Sequence, residues 1–205
     1  VWMKTFSEDY IKCNPEWQYM LWNDENVHEL FEEFPIMLKI YNIEKTYNGK
    51  SDLLRYLILY KYGGIYIDAD SVWINKKSFD PLFKEIKESS IFFYYINNEK
   101  TVISGSIMGS SKKNIYLLKI INEIENMVKR SLNDNNIYLI DYKRKAGLHG
   151  AWKRIGPGLL TKMYLNNKDI TIFPLFYFLP VDTFNKTIEI NHHKTINISK
   201  ESYTF

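Results

Sequence analysis

Cysteine is all but missing: Cys13 is the only one in 205 residues. That excludes an intrachain disulfide framework and any multi-cysteine zinc site. Cys13 has no His or basic cluster beside it and reads as an inert thiol. Long hydrophobic runs are missing too. The longest, residues 173–181, is broken by Pro174 and Pro180 and falls far short of the ~18 residues that cross a bilayer. There is no signal-peptide pattern. No sign of charge dominates: 27 basic residues stand against 24 acidic ones, net +3. That balance argues against a nucleic-acid partner. Arginine is scarce, at 4 of the 27 basic residues, which we read as coding bias. Aromatics are abundant instead, with 16 Tyr, 12 Phe and 5 Trp. They suit a core and a groove that stacks flat ligands. The length supports one sizeable core and is short for two full domains. The chain opens at Val1 and Trp2 rather than Met. This leaves room for a parent truncated here at its N-terminus, and for membrane association through a segment outside this chain.

No repeat, linker or low-complexity tract appears. Short β-like runs alternate with helical patterns, which argues α/β. The pattern predicts a short helix over 6–13, a strand over 17–22, and a helix entered at 23–26 and running over 27–34, where Pro35 ends or kinks it. Residues 51–62 make the clearest helix. Ser51 is its candidate N-cap, Leu53, Leu54, Leu57 and Ile58 form one stripe, and Gly63-Gly64 stops it. A buried strand over 65–67 follows, then an extended piece over 72–74. Strands are expected at 91–96 and 106–108 and an amphipathic helix at 114–130. A glycine-rich stretch, 147–158, opens a helix at 159–165. Late strands are expected at 170–173 and 187–190, while 134–142 fits no pattern.

Residues 51–74 carry the chemistry: a helix, a Gly-Gly turn, an apolar strand, then Asp68-Ala69-Asp70. On a continuing strand the two carboxylates, at i and i+2, point to one side of the sheet. At the carboxyl end of that strand they sit where open α/β sheets bind ligands. Two such charges repel unless a cation neutralises them, and hard oxygen donors select Mg²⁺ or Mn²⁺. Asp52 and Arg55, at i and i+3 on one helix face, can pair or share a ligand. Against this stands a plainer reading, of solvated loop acids beside a surface ion pair. What favours chemistry is the density: Asp52, Arg55, Tyr66, Asp68 and Asp70 flank one tight turn.

This stretch resembles the DXD-containing sugar-transferase family (glycosyltransferase family 32). The family includes initiating mannosyltransferases, α-1,4-galactosyl- and N-acetylglucosaminyltransferases and bacterial capsular sugar transferases. The catalytic domain of the clostridial glucosylating toxins looks related. The pattern Asp-x-x-Arg-Tyr, helix, Tyr-Gly-Gly, then Tyr-hydrophobic-Asp-x-Asp is met by Asp52, Arg55-Tyr56, Tyr62-Gly63-Gly64 and Tyr66-Ile67-Asp68-Ala69-Asp70. Weaker likeness extends to Val1-Trp2, Leu21-Trp22-Asn23-Asp24, Gly156-Pro157 before a helix, and a late His, His192 or His193. The terminal Trp of the family is absent; Tyr203 and Phe205 are the nearest aromatics.

The resemblance implies a GT-A-like nucleotide-sugar-binding fold: a central mixed, mostly parallel sheet flanked by helices. It implies that residues 1–205 form a single catalytic domain. The implied activity is retaining transfer from a nucleotide-diphosphate sugar, UDP-sugar favoured, to a glycan, lipid or protein acceptor, with Mn²⁺ or Mg²⁺. On that likeness Asp70 binds the metal, and Asp68 contacts the ribose and the metal. Asp52 and Arg55 hold the donor sugar and diphosphate, Tyr66 lines the donor pocket, Trp2 stacks on the base, and His192 is a further metal ligand. The domain is then expected to be soluble, in the cytoplasm or held at a secretory-pathway membrane by a removed anchor.

Plainer roles go to the other candidates. Trp22, Trp73 and Trp152 read as packing and His149 as a solvated loop residue. Ser104-Gly105-Ser106 reads as a turn, and Lys143-Arg144-Lys145 as a solvated basic patch. The sequons at Asn185 and Asn197 read as chance. Two other functions compete. A haloacid-dehalogenase-like phosphatase would use Asp68 as nucleophile and Asp70 as acid/base, but the downstream Asp pair it needs is missing from the sequence. A non-catalytic nucleotide-sugar-binding module would keep the same residues.

Overall fold

The computed structural model describes residues 4–86, 89–133, 149–179 and 200–204. Trp2, His192, His193, Lys143-Arg144-Lys145, both sequons and the stretches 134–142 and 187–190 lie outside them.

The chain begins with a helical segment, Thr5–Tyr10 continued by Ile11–Cys13, and a 3₁₀ turn follows at Val27–Phe31. Helix α1, Pro35–Ile43, starts at Pro35. The sequence pattern has Pro35 ending a helix. It opens one instead, because its fixed φ and missing N–H suit a first turn. Helix α2 spans Tyr47–Tyr62 and its N-cap is Thr46, whose hydroxyl accepts from Gly49 N. Ser51 therefore lies inside the helix. The start is hidden in sequence by Gly49, a poor helix former. Its missing Cβ is needed, because one there would lie 2.4 Å from the Glu44 carboxyl carbon. Gly63, at φ 71°, ends α2 as expected.

Strand β1 (Gly64–Ile67) leads through helix α3 (Asp80–Glu85) to β2 (Ile91–Tyr95) and β3 (Ile103–Ser110). Helices α4 (Ile115–Asn133), α5 (His149–Arg154) and α6 (Pro157–Tyr164) precede β4 (Thr171–Phe173). The sheet order is β1-β3-β2-β4. It is mixed, as expected, but among the described residues it is not mostly parallel. β1/β3 and β2/β3 are antiparallel, and only β2/β4 is parallel. The connection from β2 to β3 is too short for a crossover and must turn back as a hairpin, with Ile96 N donating to Val102 O and Asn97 Oδ1 accepting from Thr101 N. The run from β3 to β4 holds three helices, enough for a crossover. The expected strand at 17–22 is also absent. Alternation there finds no sheet edge, and Met20 and Leu21 are left exposed.

The sheet has two covered faces. Phe93, Ile103 and Met108 pack under α1, α2, α4 and α6, with Met37, Leu53, Leu57, Ile121 and Leu160. Phe92, Tyr94 and Ile107 point the other way, into an aromatic cluster with Phe6, Tyr10, Phe79, Phe178 and Tyr203. On β2 this is the period-2 alternation of a strand buried on both sides, while on β3 Ile103 and Ile107, four apart, face opposite ways because the β2/β3 register shifts between Phe92 and Tyr94. Residues 200–204 return to this second face. Ile74 N donates to Tyr203 O at 3.0 Å, Asn75 Nδ2 to Ser202 O at 3.0 Å, and Trp73 bridges to Thr204. No helix among the described residues is long and apolar enough to cross a membrane.

Candidate functional site

Helix α2 and strand β1 bring the charged residues together. Arg55 lies one turn after Ser51, and its Nε donates to Ser51 O at 3.1 Å. Its Nη2 reaches Ser51 Oγ and Asp68 Oδ1, each at 3.2 Å, and Asp52 Oδ1 at 3.0 Å. The guanidinium carbon sits 4.9 Å from the Tyr66 ring centroid. One buried cation thus joins a carboxylate on the helix to a carboxylate at the strand end. Glycines make the space. A Cβ at Gly105, on β3, would lie 3.0 Å from Arg55 Nη1. One at Gly156, just before α6, would lie 2.4 Å from Asp52 Oδ2.

The electrostatics follow from burial. Asp52 is pushed up to about 6, first by desolvation; Arg55 pulls it down, and Asp68 and Glu44 push it up. Asp68 is also raised by burial, against the pull of Arg55 and the hydroxyl of Tyr66, with Asp70 adding repulsion. Burial works against the charge of Arg55, but Tyr66, Asp52 and Asp68 more than offset it and its pKa rises. Arg55 is therefore a fixed positive charge.

Asp68 ends β1. Its N–H donates to Ser106 O at 2.8 Å, and its carbonyl accepts from Ser71 N at 3.0 Å. The chain turns there, so Ala69 and Asp70 are not on a continuing strand. Asp70 is exposed and Asp68 half-buried. The Tyr66 hydroxyl donates to Asp68 Oδ1 at 2.8 Å, the same oxygen that Arg55 holds. The carboxylates are hard oxygen donors, the chemistry that Mg²⁺ or Mn²⁺ requires. Among the described residues no group of three His, Cys, Asp or Glu could hold a metal.

All of these groups open onto one cleft of about 1230 Å³. Its floor includes Ser104 and Ser106, which belong to β3 and not to a turn. Their hydroxyls are 3.0 Å apart, and Ser106 Oγ lies 2.6 Å from Tyr94 Oη. One wall carries Trp152 and Pro157. The rim carries the exposed side chains of Met20, Leu21, Tyr47 and Tyr62.

The family model for the glycosyltransferase sugar-binding region containing the DXD motif matches residues 1–91, which include the helix, the turn and Asp68-Ala69-Asp70. Over these residues the chain is similar to the DXD-type glycosyltransferase sugar-binding region. It is 32% identical over 115 residues to inositol phosphoceramide mannosyltransferase 3 of Schizosaccharomyces pombe, covering 56% of this chain and 30% of that protein. It is 30% identical over 120 residues to the mannosyl phosphorylinositol ceramide synthase CSH1 of Saccharomyces cerevisiae, covering 58% and 30%. The match therefore spans about a third of the length of these relatives. A solved structure, the PaToxG glycosyltransferase, aligns with a TM-score of 0.43 and 21% identity over 68% of this chain and 42% of its own.

Within the matched residues, Asp52, Arg55, Tyr66 and Asp68 are in direct contact and Asp70 lies beside them. Trp2 and His192 lie outside the described residues. Sequence reasoning missed Ser51 as a support for Arg55, although the i, i+4 spacing was there to be read. It missed the hydroxyl line Tyr94–Ser106–Ser104, which only the pairing of β2 with β3 creates. His149, read as a loop residue, opens helix α5.

Proposed function

We propose that the chain is a metal-dependent retaining glycosyltransferase domain, one catalytic unit over residues 1–205, that moves a sugar from a nucleotide-diphosphate sugar to a hydroxyl acceptor. The observation that carries the reading is the Asp52–Arg55–Asp68 bridge, buried under one cleft with the exposed Asp70 beside it. Asp70 and the second oxygen of Asp68 would hold Mn²⁺ or Mg²⁺, with His192 as a further ligand. When bound, the cation neutralises charge on the diphosphate leaving group.

The chain's own residues do the rest. Arg55 fixes the two carboxylates and cancels one of their charges, so that the donor meets a site already organised. Asp52 presents acceptor oxygens to donor-sugar hydroxyls, Asp68 to the ribose, and Trp2 a stacking face to the base. In the transfer the bond from the sugar C1 to the phosphate oxygen breaks and one from C1 to the acceptor oxygen forms. The acceptor's proton passes to the leaving phosphate on the same face, which gives retention without a protein nucleophile. The mannosyl names of the relatives favour mannose as the transferred sugar, whereas the family resemblance favours UDP-sugars. Their ceramide names, with the apolar rim of Met20, Leu21, Tyr47 and Tyr62, favour a glycolipid acceptor. The phosphatase alternative loses support because Asp68, its nucleophile, is held by Arg55 and Tyr66.

A thermal-shift screen of GDP-mannose, UDP-glucose and UDP-galactose, with and without Mn²⁺, tests this. A ligand at a hundred times its Kd adds about 2.7 kcal/mol. The expected result is a Mn²⁺-dependent shift with one donor that disappears in Asp70→Ala, whose exposed side chain leaves the fold intact. No shift with any donor, or an undiminished shift in Asp70→Ala, overturns the reading.

A further inference from the structure

Four tryptophans fall within the described residues, and three are accounted for by packing or hydrogen bonding. Trp17 donates to Asp80 Oδ1 at 2.8 Å and lies against the rings of Tyr10 and Phe83. Trp22 lies tilted against Tyr62, and Trp73 donates to Lys77 O and meets Tyr10 edge-on. Trp152 differs. Among the described residues it has no ring partner and no hydrogen bond, and it belongs to neither apolar cluster. It is half-buried and forms part of the cleft wall. The indole is nevertheless held in place. A Cβ at Gly158 would lie 2.9 Å from its Cε3 and Cζ3, so one edge rests directly on the start of α6. Its helix is pinned to α2 by the Tyr56 hydroxyl, which donates to Ile155 O at 2.7 Å.

Its place along the cleft is set by a chain of contacts. Asp70 lies beside Asp68, Asp68 meets Arg55, Arg55 meets Asp52, Asp52 meets Gly156, and Trp152 sits on Gly158. The proposed function puts the diphosphate at the Asp70 end and the transferred sugar at Asp52. Trp152 then lies at the Asp52 end, next to the transferred sugar, where an acceptor must also bind. An indole face fixed at its edge and open to the cleft suits the C–H face of a six-membered polyol ring, leaving the ring hydroxyls free for polar contacts.

We infer that Trp152 is the stacking platform for the acceptor's ring, a pyranose or a cyclitol. The inference rests on the donor-site reading above. The test compares wild type with Trp152→Ala, Trp152→Leu and Trp152→Phe. Three quantities are read: the Mn²⁺-dependent donor thermal shift, donor hydrolysis by water, and transfer to methyl α-mannopyranoside or to myo-inositol. The two probes distinguish the pyranose source from the cyclitol source. We expect Trp152→Ala and Trp152→Leu to raise the acceptor KM roughly tenfold or more, with donor affinity and hydrolysis changed by less than about twofold. Trp152→Phe should recover most of the loss. Trp152→Leu behaving as wild type overturns the inference, since bulk alone then suffices. So does a parallel fall in donor affinity, which would place the indole on the donor. Donor hydrolysis without transfer to either probe in wild type overturns the ring class. Absence of any donor shift in wild type is separate and removes the donor-site reading itself.

Discussion

Replacing Gly156 by alanine puts a methyl group where the Asp52 carboxylate now lies. The added Cβ would be 2.4 Å from Asp52 Oδ2 and 3.0 Å from its Cγ. Ordinary contact lies near 3.4 Å, so the overlap approaches 1 Å. Gly156 has a φ of −101°, outside the left-handed region that favours glycine. Asp52 has nowhere to retreat: its side chain is 10% exposed and its other oxygen is held by Arg55 at 3.0 Å. If the carboxylate swings away, Arg55 loses one of its two partners. If the α5–α6 junction moves instead, the Tyr56 hydroxyl leaves Ile155 O. Overpacking costs about 1–3 kcal/mol, and breaking a buried pair outright about 3–5. A partial break therefore gives a destabilisation of about 2–4 kcal/mol. For a chain of this size that lowers Tm by roughly 5–15 °C. The decisive assay is a double-mutant cycle by chemical denaturation. In an Asp52→Ala background the struck atoms are gone, so Gly156→Ala should cost less than about 1 kcal/mol, a coupling of about 2–3. Equal costs in the two backgrounds would refute the argument that Gly156 is a glycine to make room for Asp52.

Three further outcomes are expected. Asp52 is pushed up to about 6 from an ordinary 3.8, so its contribution to stability is fully present below about 4 and is lost as pH rises through 6. The loss is at most about 3 kcal/mol; denaturation midpoints from pH 4 to 7 should therefore fall more steeply in wild type than in Asp52→Asn, and parallel curves would contradict the buried-acid reading. Gly63→Ala should destabilise more than Gly64→Ala. Both have positive φ, but only at Gly63 would the new Cβ meet backbone, 2.8 Å from Lys112 N, and equal melting points would count against this. Tyr66→Phe removes a 2.8 Å hydrogen bond to the carboxylate of Asp68 and should cost about 1.5–3 kcal/mol, checked by urea unfolding; no change would mean that Arg55 alone holds Asp68.

Local spacing made part of the site readable from the sequence. Asp52 and Arg55 share a helix face because they stand three apart, and the Gly63-Gly64 stop delivers the next strand beside them. What was not readable depends on distant partners. Asp68-Ala69-Asp70 looks like the end of a continuing strand, but it turns because the register of β1 on β3 ends near Ile107. Ser104-Gly105-Ser106 has a turn's composition; it is a strand because β1 and β2 flank it and Arg55 needs the gap at Gly105. Gly156 stands out as part of a Gly-Pro pair, yet its reason lies on another helix. Trp152 reads as packing from its sequence, and only the fold shows it on the cleft and outside both apolar clusters. Trp2 and His192 rest on the family resemblance.

The return of residues 200–204 to Trp73–Asn75 bears on when this molecule becomes competent during its own synthesis. The contact from Asn75 to Ser202 spans 127 residues of chain. Among the described residues, every member of the helix-covered face has been made once β4 is complete. The turn that follows Asp70 gains its last backbone partners only after residues 200–204 have left the ribosome. Contacts of such long separation form late, because the loop must be closed before they reward it. A nascent chain stalled before residue 200 would then present a packed helical layer over an unsettled turn after Asp70. The segment that carries Asp70 would be among the last parts of the fold to set.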